Sequence, residues 1–207
     1  MDDLKKCLYT IYDIRIIDSF MTDEIILHES KKGKPVRIFR PWEVRALVRA
    51  IPKNENKDKL ESLLYSGVRY AELKWLYNNH QRFKGEHIHI KNMKALCKEA
   101  YRWVRLNPQG QRAVENFLRC KTNLPSYQTW GDNLKRWCIE AGIKPDSACA
   151  KSTRKTFESW LVISYPNRLP EIFISQGHEE MTALRHYLTF PFTEQDKRDM
   201  LYYIEGW

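Results

Sequence analysis

KSTRKTF (residues 151–157) and SQGHEEMTALRHYL (residues 175–188) are the stretches whose reading decides what this chain folds into. Lys151 and Arg154 stand three apart, a spacing that puts both on one face of a helix. His178, in the pair Gly177-His178, comes 24 residues after Arg154, and Tyr187 follows nine residues later. Upstream, SGVRYAEL (66–73) places Arg69 at the start of an apolar helical pattern. Cations, a donor histidine and a late tyrosine together make a phosphate-binding set with a candidate nucleophile. Arginine suits a phosphate because its planar fork engages two oxygens and stays charged. A phenol, with a pKa of roughly 10, needs help from its surroundings before it attacks.

In this order and spacing, the segments resemble the tyrosine recombinase (integrase) family. The resemblance covers roughly residues 38–190. It implies a mainly α fold with a small antiparallel β-sheet (α+β), and DNA cleavage through a 3′-phosphotyrosyl intermediate. It also implies roles for single residues. Arg69 and Arg154 would bind the scissile phosphate, His178 would donate to a non-bridging oxygen, and Tyr187 would be the nucleophile. Glu72 would support the helix start beside Arg69. His186, next to the tyrosine, is the competing nucleophile. Lys151 stands where the family usually has histidine, a replacement also found in archaeal virus integrases. The family's hairpin lysine, which protonates the leaving 5′-hydroxyl, is matched to Lys94 through Ile90-Lys91-Asn92-Met93-Lys94, with Lys84, Lys91 and Lys98 as competitors. The chemistry requires neither metal nor cofactor. The family works as a tetramer on double-stranded DNA, and its full-length members carry an additional N-terminal clamp domain.

The bulk composition agrees with such a partner. Lys and Arg number 35 against 26 Asp and Glu, a net charge of +9, which favours a polyanion. Seven Trp, eleven Tyr and eight Phe argue for a folded core. Cys7, Cys97, Cys120, Cys138 and Cys149 are scattered without a C-x-x-C pair, so neither a disulfide framework nor a zinc site is expected, and a reducing cytoplasm is. His80, His87 and His89 lack a third ligand at suitable spacing. No apolar run reaches bilayer length, so no membrane partner is expected.

Along the chain, Leu4, Cys7, Leu8, Ile11 and Ile14 predict a helix ending near Asp18, and 28–37 (HESKKGKPVR) reads as a basic linker. Residues 1–37 are thus an arm and linker, and 38–207 the catalytic domain. Pro41 opens a helix with Trp42, Val44, Leu47, Val48 and Ile51 on one face. Further helices are predicted over 57–65, from just after Gly67, and over 109–120, 126–142, 150–164, 168–175, 179–189 and 193–205. GEHIHIK (85–91) and RWVRL (102–106) alternate in period two and read as an antiparallel pair. Thr193 to Asp196 has the form of a capping box. The amphipathic tail, with Met200, Leu201, Ile204 and Trp207, is expected to pack on its own domain or on a neighbour, and Tyr202 and Tyr203 read as packing residues.

The function expected is therefore a site-specific recombinase or integrase of a viral or plasmid element. Two alternatives stand beside it: a DNA-binding module of the same fold without cleavage activity, and a relaxing enzyme like topoisomerase IB.

Overall fold

Thirteen residues from Ser152 to Ser164 carry too many apolar side chains for a surface helix, and the chain winds around them. In the computed structural model, residues 25–30, 33–93, 100–178 and 186–207 are described. The helix expected over the first 18 residues, Lys94, and most of the helix expected over 179–189 lie outside these.

The first described elements are an antiparallel hairpin of β1 (Ile26–Ser30) and β2 (Gly33–Ile38). This corrects the linker expected over 28–37. Ile26, Val36 and Ile38 bury one side of the hairpin, a face that the charged residues between them mask in the sequence. Helices α1 (Pro41–Ala50), α2 (Asn54–Ser66) and α3 (Tyr70–Tyr77) follow, then β3 (His87–Lys91) and β4 (Tyr101–Arg105). The remaining helices are α4 (Pro108–Arg119), α5 (Tyr127–Glu140), α6 (Ser152–Ser164), α7 (Leu169–Gln176) and α8 (Glu194–Ile204). The expected α+β class holds, with two small sheets in place of one.

β3 and β4 pair in the register Ile88–Val104 and Ile90–Arg102, so these four residues share one face. Ile88, Ile90 and Val104 are fully buried on it, as the alternation predicted. Arg102 belongs to the same inward face, which brings a guanidinium into the interior.

α6 is the hub. It packs against α2, β2, α7, α8 and the 3₁₀ turn His186–Thr189. Phe157, Trp160, Leu161 and Val162 are fully buried there, and the Trp160 indole donates to the Phe39 carbonyl at 3.2 Å. α8 packs on its own domain. The Thr193 hydroxyl accepts from Asp196 N at 3.1 Å, and the Asp196 carboxylate accepts from Thr193 N at 2.9 Å, completing the expected capping box. The same Asp196 oxygen, Oδ2, also pairs with Arg40 at the head of α1. Met200, Ile204 and Trp207 point inward, whereas Leu201 and Tyr202 are exposed. Tyr203 is the packing residue of that pair, stacked 6.0 Å from Tyr65.

Candidate active site

Two glycines fix the geometry in which the sequence motifs meet. Gly67 ends α2 and Gly177 ends α7, both in the left-handed region at φ 63° and 64°. A Cβ on Gly67 would lie 2.6 Å from the Gln176 amide oxygen, and one on Gly177 would lie 2.8 Å from the Arg102 side chain. Their carbonyls hold the two sequence-predicted arginines crosswise. Arg154 Nη1 donates to Gly67 O at 2.7 Å, and Arg69 Nη2 donates to Gly177 O at 2.9 Å. Arg154 Nη2 also donates to Gln176 O at 2.5 Å. Each motif therefore positions the arginine of another, although more than 80 residues of chain separate Arg69 from Arg154.

Beneath them lie two buried carboxylates. Glu72 accepts from Arg69 Nη1 at 2.7 Å and from both Arg102 nitrogens at 2.8 and 2.7 Å. It also accepts from the Arg69 backbone N at 2.8 Å, so the expected support for the start of α3 is present. Burial alone would raise the Glu72 carboxyl, but the Arg102 hydrogen bond and the charges of Arg102, Arg69 and Arg154 outweigh it and bring it down to about 2.

Glu158, one turn along α6 from Arg154, is the second. Its Oε1 forms an ion pair with Arg154, 2.7 Å from Nε, and faces His178 Nε2 at 3.0 Å. Its Oε2 accepts from Lys155 Nζ at 3.0 Å and from the Tyr187 hydroxyl at 2.8 Å. Three hydrogen-bond partners and the Arg154 charge thus surround the two oxygens. Burial pushes this carboxyl up, yet Arg154, Lys155 and His178 hold it well below the usual carboxylate range. Because the ionised group only accepts, His178 must carry its proton on Nε2.

Tyr187 is fully buried at the back of this cluster. Its hydroxyl accepts from Lys155 Nζ at 2.7 Å, and its ring lies 5.4 Å from that of His28 on β1. Burial and then the neighbouring Glu158 charge raise the phenol well above its ordinary value, against a smaller opposing pull from Arg154.

In front of Tyr187, a cleft of about 460 Å³ is lined by Arg69, Lys151, Arg154, Lys155, Gly177 and His178, with Tyr70 and Tyr127 on its rim. Lys151 is exposed and stands just before α6, at the cleft edge and not over its floor. A second hollow of about 510 Å³ shares Lys151 and Tyr127 and adds Lys34 and Lys135. The two hollows thus adjoin at Lys151 and Tyr127. Lys94 lies outside the described residues, so of the six candidate site residues the structure brings together five: four at the cleft, and Tyr187 one hydrogen bond behind it.

The solved structures that this chain resembles can now be set beside the site. A crystal structure of the XerA recombinase superposes with a TM-score of 0.59 at 18% identity, covering 84% of this chain and 65% of that one. The Tn1549 transposon integrase in complex with transposon right end DNA gives 0.59 at 14%, covering 84% and 67%. The pre-cleavage complex of XerH recombinase bound to its difH substrate gives 0.52 at 16%, covering 72% and 49%. This chain has the tyrosine recombinase catalytic-domain fold. It spans about half to two thirds of the length of those proteins. No protein-family model matches the sequence, and no curated protein does.

Within that fold the sequence reading missed three residues. Lys155 sits inside the quoted KSTRKTF, hidden beside Arg154. Glu158 lies four residues from Arg154 and three from Lys155, a spacing that pairs charges on one helix face and was the available signal. Arg102 shares strand parity with Val104 in RWVRL, which marks it as inward. On the opposite face, His89 accepts from Arg82 at 2.9 Å and stacks 4.5 Å from Trp103. Among the described residues no three His, Cys, Asp or Glu side chains gather as a metal site, and no helix is long and apolar enough to cross a membrane.

Proposed function

We propose that this chain is the catalytic domain of a site-specific DNA recombinase or integrase. Tyr187 attacks a backbone phosphate of double-stranded DNA and forms a 3′-phosphotyrosyl link. One observation carries the reading. The crossed arginines, His178 and Lys155 converge on one cleft, and the Tyr187 hydroxyl hydrogen-bonds the cleft-lining Lys155. Attack on a phosphodiester gathers negative charge on the non-bridging oxygens. Preorganised donors around that charge lower the barrier, each contributing on the order of 10²–10³ in rate. Backbone carbonyls hold outer nitrogens of Arg69 and Arg154 in place, so when a phosphate arrives only their contacts to the carboxylates beneath need to turn toward it. Lys151, at the rim, adds charge to the phosphate or to its neighbour. Lys94 protonates the leaving 5′-oxygen.

The adjoining hollow, with Lys34 and Lys135 beyond the shared Lys151, supports a path for the DNA backbone flanking the cut. Strand exchange between two duplexes calls for four copies on the DNA, and the element served is a virus or plasmid in its host's cytoplasm. Tyr187 reaches the phosphate as the 3₁₀ turn that carries it shifts toward the cleft, its hydroxyl staying within reach of Glu158, its hydrogen-bond partner. The buried, hydrogen-bonded phenol also favours a second reading, a DNA-binding module of this fold that does not cleave.

A nicked suicide duplex, from which the short fragment diffuses after cutting, separates the two. The proposal predicts a covalent protein–DNA band from wild type and none from Tyr187→Phe. Salt-sensitive binding without a band from either would establish the binding module. Relaxation of supercoiled DNA without strand exchange would indicate a relaxing enzyme.

A further inference from the structure

The partner of the Tyr187 hydroxyl is a carboxylate that the phosphate-binding set does not include. We propose that Glu158 is the general base that takes the Tyr187 proton during cleavage, and that a bound phosphodiester activates it by drawing away the cations that surround it. The inference rests on the reading of Tyr187 as nucleophile.

The geometry is that of a base with its acid. Tyr187 Oη lies 2.8 Å from Glu158 Oε2, inside the range in which proton transfer needs no intervening water. A base is required because the buried phenol, next to a fixed negative charge, holds its proton more tightly than a free tyrosine. In the unliganded protein Glu158 is a poor base, since Arg154, Lys155 and His178 all donate to it or face it. Those three side chains are also the ones that line the cleft. A phosphodiester seated there competes for the same donors. As their hydrogen bonds turn toward phosphate oxygens, burial becomes the dominant influence on Glu158, and burial favours its protonated form. The carboxylate thus gains basicity only when substrate is present.

Among the described residues, the titratable and charged groups facing the pair are these. Arg154, Lys155 and Glu158 approach Tyr187 from α6, and the ring of His28 approaches from β1. Glu158 meets Arg154, Lys155, His178 and Tyr187. In the forward step the proton moves from Tyr187 Oη to Glu158 Oε2 as the Oη–P bond forms. The P–O5′ bond breaks, its electron pair stays on O5′, and that oxygen takes a proton from Lys94. In rejoining, a 5′-hydroxyl passes its proton to the neutral Lys94 amine as its oxygen bonds to phosphorus, the Oη–P bond breaks, and Glu158 returns its proton to the departing Tyr187 oxygen.

The test is single-turnover cleavage of DNA carrying a 5′-bridging sulfur at the cut, because a thiolate leaves without protonation and the rate then isolates tyrosine activation. Wild type should show a rate that becomes flat with pH once Glu158 is ionised in the complex. Glu158→Gln should form the Tyr187 adduct about 10²-fold more slowly with DNA affinity little changed, and its rate should climb tenfold per pH unit as hydroxide takes over. A Glu158→Gln protein that cleaves as fast as wild type, or faster, overturns the proposal, because Glu158 then only holds the tyrosine back. So does a slowed variant that keeps the wild-type pH profile, which marks a structural role. If Glu158→Gln does not fold, Glu158→Asp decides. Its shorter carboxylate should lower the flat rate while preserving the plateau, and an unchanged rate overturns the assignment. Wild type that forms no Tyr187-dependent adduct refutes the nucleophile reading itself and is thereby distinguished from failure of the Glu158 proposal.

Discussion

Replacing Glu72 by Gln should destabilise the domain at neutral pH and much less in acid. Glu72 is fully buried and neutralises Arg102, itself buried, while anchoring Arg69. Its carboxyl falls from an ordinary 4.5 to about 2 in the folded state. That difference of 4.5 − 2 = 2.5 units corresponds to about 3 kcal/mol of stability at pH 7, at roughly 1.4 kcal/mol per unit. The same order follows from leaving a buried guanidinium without its partner. The folded-state pKa is depressed, so this stability is fully present above the unfolded value and is lost as pH falls through the folded one. By pH 3 only about 1.4 kcal/mol of it should remain. Urea unfolding followed by tryptophan fluorescence measures the difference directly. With a slope of roughly 2 kcal/mol per molar, the midpoint of Glu72→Gln should lie about 1.5 M below wild type at pH 7, and the gap should narrow steadily from pH 5 to pH 3. Equal midpoints at pH 7, or a gap that widens in acid, would refute the assignment of Glu72 as the ionised anchor of both arginines.

Gly177→Ala should lower stability by roughly 2 kcal/mol, read as a drop in melting temperature, because a Cβ there meets both an unfavourable φ and the Arg102 guanidinium. Asp196→Ala removes the carboxylate that neutralises the buried Arg40 and should cost about 3–5 kcal/mol, whereas Asp199→Ala removes a pairing with the half-exposed Arg45 and a hydrogen bond from Gln195 on the surface and should cost about 1 or less; paired thermal melts test the contrast. Lys135→Ala and Lys34→Ala should each weaken DNA binding uniformly across sequences and reduce the slope of log affinity against log salt by about 1, as fluorescence-anisotropy titrations would show. Deleting residues 193–207 should unfold the domain, not merely impair assembly, because Met200, Ile204 and Trp207 fill its core; circular dichroism of the truncated protein tests this.

Much of this was legible in the sequence because the helices obey local rules. Pro41 and Pro108 open α1 and α4, Gly67 closes α2, and the alternation around Ile88 and Ile90 gives the inward face of β3. The β1–β2 hairpin was hidden because its buried residues are interspersed with the charges of a segment that reads as a linker. The site was half legible. Arg69, Arg154 and His178 stand in motifs whose spacing marks them. Glu158 does not, because a single glutamate on a helix reads as solvent-facing until tertiary packing surrounds it with donors. Arg102 is similar: strand parity puts it inside, but only the fold brings Glu72 to meet it. Nor could spacing show that Tyr187 rests behind Lys155, since that depends on how the turn at 186–189 packs on α6.

The central claim, that Tyr187 becomes joined to DNA, is tested most directly by trapping the complex on a nicked duplex, digesting it with protease and nuclease, and mapping the modified peptide by mass spectrometry. A nucleotide phosphoester is expected on Tyr187 and none on His186, Tyr202 or Tyr203. An adduct on any of those residues, or a bound complex with no adduct at all, would contradict it.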